Sequence, residues 1–124
     1  MEIESLKAGD LSIEVAQRAA DAPLELHWRG KSTWRQPDQV LGPFFEEVLA
    51  AARERKVGLE MHFEALDHFN SSTITTVIQF VQTARQASVR LVLVYDATLQ
   101  WQKLSFEAMK VFSQGDGLLE VRAR

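Results

Sequence analysis

The 124-residue sequence predicts an α/β domain built on a mixed, mostly parallel sheet of four to five strands, with helices mainly on one face. Alternating apolar and polar residues mark half-buried strands, and apolar residues at three- or four-residue intervals mark amphipathic helices. The predicted order is β-β-α-β-α-β-α-β. Strand–helix–strand units require crossovers and therefore parallel pairing, whereas the two leading strands favour an antiparallel hairpin.

The first half of the chain contains the predicted hairpin and one helix. Residues 11–15 and 24–28 alternate between apolar and polar side chains, and residues 29–36 form a predicted loop. We expect an irregular turn over residues 37–42 and a helix that begins at Pro43, because proline is tolerated at the first helical position. The apolar residues of this helix recur at helical spacing: Phe44, Phe45, Val48, Leu49 and Ala52.

The second half alternates strands with helices. Strands are predicted at residues 57–63, 91–95 and 118–121, and a helix at residues 74–87. A further helix follows residue 98, with an apolar stripe of Trp101, Leu104, Ala108, Val111 and Phe112.

The helix at residues 74–87 has two distinct predicted faces. Its apolar stripe is Ile74, Val77, Ile78, Val81 and Ala84. Its other face is polar but uncharged: Thr75, Thr76, Gln79, Gln82 and Thr83. Solvated helix faces usually carry Lys and Glu, and interface cores are depleted of charge. The uncharged face is therefore either a partner surface or an ordinary solvated one.

The composition excludes several classes of protein. Charged residues make up 25% of the chain and the net charge is −3, with no basic stripe of the kind that binds nucleic acid. Cysteine is absent, which excludes disulfides and thiolate metal sites. Residues 1–5 lack the features of a signal peptide, and no apolar run approaches the roughly 20 residues that span a bilayer. We therefore expect a single cytoplasmic domain over residues 1–124.

The most informative stretch is the junction between the third strand and the second helix. Asn70, Ser71, Ser72 and Thr73 stand where this helix should begin. Such side chains accept hydrogen bonds from the free N–H groups of a first helical turn, so Ser71 and Ser72 are candidate N-caps. A helix N-terminus also attracts anions, so a phosphorylated serine is tolerated there. These two interpretations are compatible, since a capping serine can also be phosphorylated.

The element order and this junction resemble the STAS domain, the SpoIIAA-like fold of bacterial anti-anti-sigma factors. That family carries Asp-Ser-x-Gly-Leu where this chain has residues 70–74, so the family's aspartate is Asn70 here and its glycine is Thr73. An asparagine followed by hydroxyl residues is also similar to the SiaC-type STAS-like regulators. In those proteins the phosphorylated residue is a threonine within an Asn-Thr-Ser-Ser stretch.

The resemblance implies a non-enzymatic bacterial signalling regulator whose binding to a partner is switched by phosphorylation of Ser71, with Ser72 as the neighbouring alternative. The implied partners are a serine/threonine or anti-sigma-like kinase, a PP2C-type phosphatase and, for SiaC-type regulators, a diguanylate cyclase. The alternative function is a constitutive interaction module without a switch. The expected partner-binding residues are Asn70, Ser71, Ser72, Thr73, Thr75, Thr76 and Gln79.

Other chemistry has little support in the sequence. The histidines, His27, His62 and His68, lack the spacing of a helical metal site, although the first two fall on the polar faces of two strands that are candidate neighbours. We therefore expect no metal and no cofactor. Neither a G-x-S-x-G elbow nor a glycine-rich phosphate loop is present. A small enzyme that uses Glu60, Asp67 or the histidines is the weakest hypothesis.

Overall fold

A computed structural model describes residues 3–124; Met1 and Glu2, which belong to the segment used above to argue against a signal peptide, lie outside the described residues. The described chain forms seven strands, three α-helices and a short 3-10 turn. The elements are β1 (Leu6–Ala8), β2 (Leu11–Gln17), β3 (Leu24–Ser32), α1 (Asp38–Arg55), β4 (Leu59–His62), β5 (Leu66–Phe69), α2 (Ser71–Gln86), β6 (Leu91–Tyr95), α3 (Gln100–Met109), the 3-10 turn (Lys110–Phe112) and β7 (Leu119–Ala123).

The strands form one mixed sheet in the order β1-β2-β3-β4-β6-β7. The pairs β1–β2 and β2–β3 are antiparallel, whereas β3–β4, β4–β6 and β6–β7 are parallel. Strand β5 runs parallel to the C-terminal end of β3, beyond the residues of β3 that pair with β4. The predicted mixed, mostly parallel sheet is confirmed. It has more strands than predicted because the three-residue β1 and the separate β5 carry little periodic signal.

A bulge in β3 directs the end of this strand toward the start of α2. Gly30 has φ +88°, and the register with β5 shifts between Gly30 and Lys31. A Cβ at residue 30 would lie 1.8 Å from the carbonyl oxygen of Asp10, so only glycine fits here. The predicted loop at residues 29–36 therefore begins later than expected, after Ser32.

All three helices pack on one face of the sheet, as predicted. Trp28 of β3 is fully buried, and its ring contacts Phe45 of α1. The rings of Phe45 and Phe80 lie 4.6 Å apart and join α1 to α2. Phe106 of α3 stacks on Tyr95 at 5.4 Å. The opposite face of the sheet, called the open face below, carries no helix of the described chain.

Helix α1 begins earlier than the sequence suggests. It starts at Asp38, with Pro37 at the N-cap, and Pro43 lies inside it, so the predicted start at Pro43 is wrong. Proline at this position removes one backbone hydrogen bond of the helix. The residues before it nevertheless continue the buried stripe, because Leu41 is fully buried. Tertiary packing of this turn outweighs the local preference of Gly42 and Pro43 against helix.

The buried faces of α2 and α3 also differ from the predicted stripes. Thr76, expected on the exposed polar face of α2, is only 8% exposed. Leu104 of α3 and Val111 of the following 3-10 turn were predicted to face the core but are 64% and 76% exposed. The buried residues of α3 are Gln102, Phe106 and Met109. Within residues 3–124, no helix has the length and apolar character needed to cross a membrane.

Candidate functional site

Helix α2 begins at Ser71, and Asn70 is its N-cap. The side-chain oxygen of Asn70 accepts hydrogen bonds from the backbone N–H of Thr73 at 2.9 Å and from the Thr73 hydroxyl at 2.7 Å. The side-chain amide of Asn70 donates to the carbonyl oxygen of Trp34 at 2.9 Å. An aspartate has no donor for this last contact. The asparagine at this position therefore has a structural role that an aspartate cannot fill.

Thr73 holds the first turn of α2 against the end of β3. Its side chain is fully buried, and its hydroxyl lies 2.6 Å from the hydroxyl of Ser32. If Ser32 donates to Thr73 and Thr73 donates to Asn70, each hydroxyl proton has one acceptor and the chain of hydrogen bonds is complete. The backbone N–H of Asn70 also donates to the Ser32 carbonyl oxygen at 3.0 Å. Thr73 therefore supports the turn from inside and is not part of the surface.

Ser71 and Ser72 are placed differently from Asn70 and Thr73. Ser71 is exposed and Ser72 is half-buried. Neither hydroxyl makes a hydrogen bond within the described chain, so the interpretation of these serines as N-caps is wrong and Asn70 has that role. The N–H of Ile74 donates to the Asn70 carbonyl oxygen. The N–H groups of Ser71 and Ser72 have no acceptor among residues 3–124, as expected for a first helical turn.

The electrostatic surroundings of Ser71 suit an added anion. The first turn of α2 contains no acidic residue. Of the nearest acidic residues in the sequence, Glu64 pairs with Arg124 at 3.3 Å and approaches His62, while Asp67 lies exposed on β5. The positive end of the α2 dipole is therefore not neutralised by a carboxylate from its own first turn.

The uncharged face of α2 is partly explained by hydrogen bonds within the helix. The hydroxyls of Thr75, Thr76 and Thr83 donate to the carbonyl oxygens four residues earlier, at 3.0 to 3.1 Å. Threonine commonly bonds to its own helix in this way. These side chains thus need no partner protein for hydrogen bonding.

A groove between α1 and α2 lies along the same face. It has a volume of about 190 Å³ and is lined by Phe45, Leu49, Thr76, Gln79, Phe80 and Thr83, among others. Two of the predicted partner-binding residues, Thr76 and Gln79, therefore border one concave surface, and Thr75 is exposed nearby on the helix. Asn70 is half-buried beneath the turn.

Two tryptophans flank the junction and are half-buried rather than free on the surface. Trp34 packs against the core and supplies the carbonyl oxygen that holds Asn70. Trp101 meets the ring of Phe69 edge-on at 5.2 Å and lies 6.1 Å from the ring of His68. These contacts fix the strand that leads into α2.

A second group of polar side chains lies on the open face. His27 and His62 are paired in register between β3 and β4, and their rings stack with centroids 4.6 Å apart. The alternation of the two strands predicted that both histidines face away from the core. It did not predict their direct contact, because that depends on the parallel register of two strands separated by α1.

Two aspartates near α3 and β7 have pKa values below the ordinary 3.8. Hydrogen bonds from the hydroxyl and the backbone N–H of Thr98 lower the pKa of Asp96. A hydrogen bond from the backbone N–H of Leu118 is the main cause that lowers the pKa of Asp116, and the contact with Arg85 lowers this pKa further. Asp96 closes a turn before α3 but does not cap that helix, whose N-cap is Leu99. Both carboxylates therefore have structural partners.

The fold is the SpoIIAA-like fold. The chain is similar to the crystal structure of an uncharacterized protein of the DUF3478 family from Shewanella loihica PV-4, which has a SpoIIAA-like fold. The TM-score is 0.58 and the sequence identity 14%, and the similarity covers 95% of this chain and 89% of that one. No protein-family model matches the sequence, and no curated protein matches it. The predicted STAS-type architecture is thus confirmed at the level of the fold.

Proposed function

We propose that this protein is a non-enzymatic, cytoplasmic signalling module whose binding to a partner protein is switched by phosphorylation of Ser71. The observation that carries the proposal is the placement of the Ser71 hydroxyl. It is exposed at the first residue of α2, makes no hydrogen bond within the described chain, and stands beside two N–H groups that lack acceptors. The fold supports a STAS-type module.

Phosphorylation of Ser71 changes charge without requiring a change of fold. A phosphate adds about −1.5 to −2 charges and three acceptor oxygens. At the start of α2 it meets the positive end of the helix dipole and the free N–H groups of Ser71 and Ser72. Asn70 and Thr73 keep their own hydrogen bonds, since neither depends on the Ser71 hydroxyl. The modified protein therefore stays folded and presents a new negative charge.

The partner is expected to cover this end of α2 and the groove beside it. A partner that packs against a neutral hydroxyl loses affinity when the hydroxyl becomes a dianion, because a badly matched charge at an interface costs several kcal/mol, on the order of 2–5. A serine/threonine kinase adds the phosphate and a PP2C-type phosphatase removes it in this proposal. A diguanylate cyclase is one class of partner to test.

The groove between α1 and α2 favours a second candidate function. It is lined by aromatic and aliphatic side chains, by uncharged Thr and Gln, and by the carboxylates of Asp38 and Glu46. Such a surface can bind a partner whether or not Ser71 is modified. This candidate is a constitutive interaction module with the same fold.

Affinity capture with four forms of the protein separates the two candidates. The forms are the wild type, Ser71→Ala, Ser71→Glu and Gln86→Glu. The last adds the same charge at the exposed opposite end of α2, about 22 Å along the helix. Captured proteins are quantified by mass spectrometry, and far-UV circular dichroism verifies that each form is folded.

We expect the wild type, Ser71→Ala and Gln86→Glu to retain one common partner. Ser71→Glu is expected to bind it at least about tenfold more weakly, or about 1.4 kcal/mol. With the bait well below the dissociation constant, about 90% of the captured partner is then lost. Equal capture by all four forms would contradict the switch and favour the constitutive module. Equal loss from Ser71→Glu and Gln86→Glu would show a general effect of charge instead of a site.

A further inference from the structure

Two histidines and two glutamates form a four-residue cluster on the open face of the sheet, called the His–Glu cluster below. Strands β3 and β4 are paired in parallel with Glu25 opposite Glu60 and His27 opposite His62. Alternate residues of a strand share one face. The four side chains therefore stand at the corners of a rectangle on the face that the helices leave uncovered.

Both imidazoles of the His–Glu cluster point along their strands toward the glutamates. The Nε2 atom of His27 lies 2.9 Å from a carboxylate oxygen of Glu25, and Nε2 of His62 lies 3.1 Å from a carboxylate oxygen of Glu60. The two rings are nearly parallel, with an angle of 16° between their planes. Two imidazoles and the Glu25 carboxylate thus converge on one small region, and the Glu60 carboxylate lies beside His62.

The cluster is more buried than a solvated surface patch. Glu25 is 7% exposed and His62 is 6% exposed. The Nδ1 atom of His62 has no hydrogen-bond partner; Glu64 lies 3.3 Å away, within ion-pair distance but without hydrogen-bond alignment. Carboxylates directly opposite each other on neighbouring strands repel. The arrangement of Glu25 and Glu60 therefore calls for a positive charge between them.

Two arginines contact these carboxylates, but both lie at the exposed edge of the His–Glu cluster. Arg18 contacts the second carboxylate oxygen of Glu25 at 2.9 Å, but its own side chain is 75% exposed. Arg122 approaches Glu60 at 3.8 Å and is 49% exposed. A cavity of about 390 Å³, lined by Arg18, Glu25, Glu60, His62 and Arg122 among others, opens onto the cluster. The cavity provides an entry path for a small ion.

We propose that the His–Glu cluster binds a divalent transition-metal ion, with Zn²⁺ as the best chemical match. The ligand atoms of Glu25, His27 and His62 lie within 4.8 Å of one another. Ligands of a tetrahedral zinc, at about 2.0–2.1 Å from the ion, are about 3.3 Å apart. Binding of one ion requires both imidazole rings to rotate out of their parallel stack, so that their nitrogen lone pairs converge on it. Imidazole and carboxylate are established zinc ligands.

The contacts of Glu60 and Arg18 suit a fourth ligand and a residue that orients a ligand. Glu60 is placed to supply a fourth ligand, since its carboxylate already contacts Nε2 of His62. Arg18 holds the Glu25 oxygen that does not face His27, and so orients that carboxylate. The ion links β3 to β4 on the face opposite the helices. This inference does not depend on phosphorylation of Ser71.

The test measures binding of Zn²⁺ to untagged protein by titration calorimetry and of Co²⁺ by its visible absorption. His27→Asn is the primary variant, because the His27 side chain is 36% exposed and its replacement leaves the core intact. Glu25→Gln is the second variant. The matched control is His68→Asn, which removes an exposed histidine that lies outside the cluster.

We expect the wild type and His68→Asn to bind one Zn²⁺ per chain with equal affinity. His27→Asn and Glu25→Gln are expected to weaken binding at least about tenfold, because each removes a ligand. Bound Co²⁺ should show the strong visible absorption of a tetrahedral site. Absence of saturable Zn²⁺ binding by the wild type, or equal binding by His27→Asn, would overturn the proposal.

Discussion

The hydroxyls of Ser32 and Thr73 lie 2.6 Å apart, with both side chains fully buried. This contact joins the end of β3 to the first turn of α2 across 41 residues of sequence. It fixes where α2 begins and therefore where Ser71 reaches the surface. The exposed serine thus depends on a buried polar contact with the sheet.

Removal of the Thr73 hydroxyl should destabilise the protein. Thr73→Val keeps the volume but leaves the buried Ser32 hydroxyl without its partner and removes one of the two hydrogen bonds to the Asn70 oxygen, and a buried polar group without a partner costs about 1–3 kcal/mol. Thr75→Val is the matched control, since Thr75 is exposed and bonds only to its own helix. Urea unfolding should show a change within about 0.5 kcal/mol for the control. Equal effects of the two variants would contradict the role of Thr73.

An aspartate at residue 70 should also lower stability. Asn70→Asp keeps the oxygen that caps Thr73 but loses the donor to the Trp34 carbonyl. Asn70→Ala loses both contacts, and the loss of an N-cap alone costs about 1 kcal/mol. We expect the thermal unfolding temperature to be highest for the wild type, lower for Asn70→Asp and lowest for Asn70→Ala. An aspartate variant as stable as the wild type would show that the Trp34 contact contributes nothing.

A buried glutamine in α3 should be intolerant of an apolar substitution. Gln102 is fully buried; it accepts a hydrogen bond from the backbone N–H of Asp96 and donates to the carbonyl oxygens of Phe63 and Leu66. Gln102→Leu leaves these groups without partners at a cost of about 2 kcal/mol or more. The neighbouring Gln100→Leu, at an exposed position, is the control. The denaturant concentration at the midpoint of unfolding should fall sharply for Gln102→Leu and stay near the wild-type value for Gln100→Leu.

The ion pair of Asp116 should make the stability of the folded protein depend on pH. Hydrogen bonding by Leu118 and contact with Arg85 lower the pKa of Asp116 below 3.8 in the folded protein. Its stabilisation is therefore present above the ordinary pKa and is lost as the pH falls through the lower folded-state pKa. Asp116→Asn should be less stable than the wild type near neutral pH, and the difference should shrink in strong acid. Asp21→Asn, which makes the same substitution at an exposed loop position, is the control variant.

Much of the fold follows from periodicity in the sequence. Strands β2, β3 and β6 are confirmed close to their predicted ranges, because alternation or continuous apolar character marks them clearly. The start of α1 was missed since Gly42 and Pro43 disfavour helix locally, while burial of Leu41 favours it. The face of α3 was missed because its buried residues include a polar one, Gln102.

The candidate site was predicted only in part. Residues 70–73 carry a local signal, which is the cluster of capping side chains before an apolar helical stripe. Ser32 gave no such signal, since its role depends on Thr73, a distant residue. The contact between His27 and His62 likewise depends on strand register. Local sequence patterns thus located the turn, and long-range pairing determined which hydroxyl faces solvent.

The most direct test of the proposed switch is to map phosphorylation on the protein itself. Wild type, Ser71→Ala and Ser72→Ala are incubated with ATP, Mg²⁺ and an extract of the organism that encodes the protein, and phosphate is then located by tandem mass spectrometry. We expect a single phosphate on Ser71 in the wild type and in Ser72→Ala, and none in Ser71→Ala. A phosphate at another residue, or an unmodified Ser71 in an extract that phosphorylates other proteins, would contradict the account.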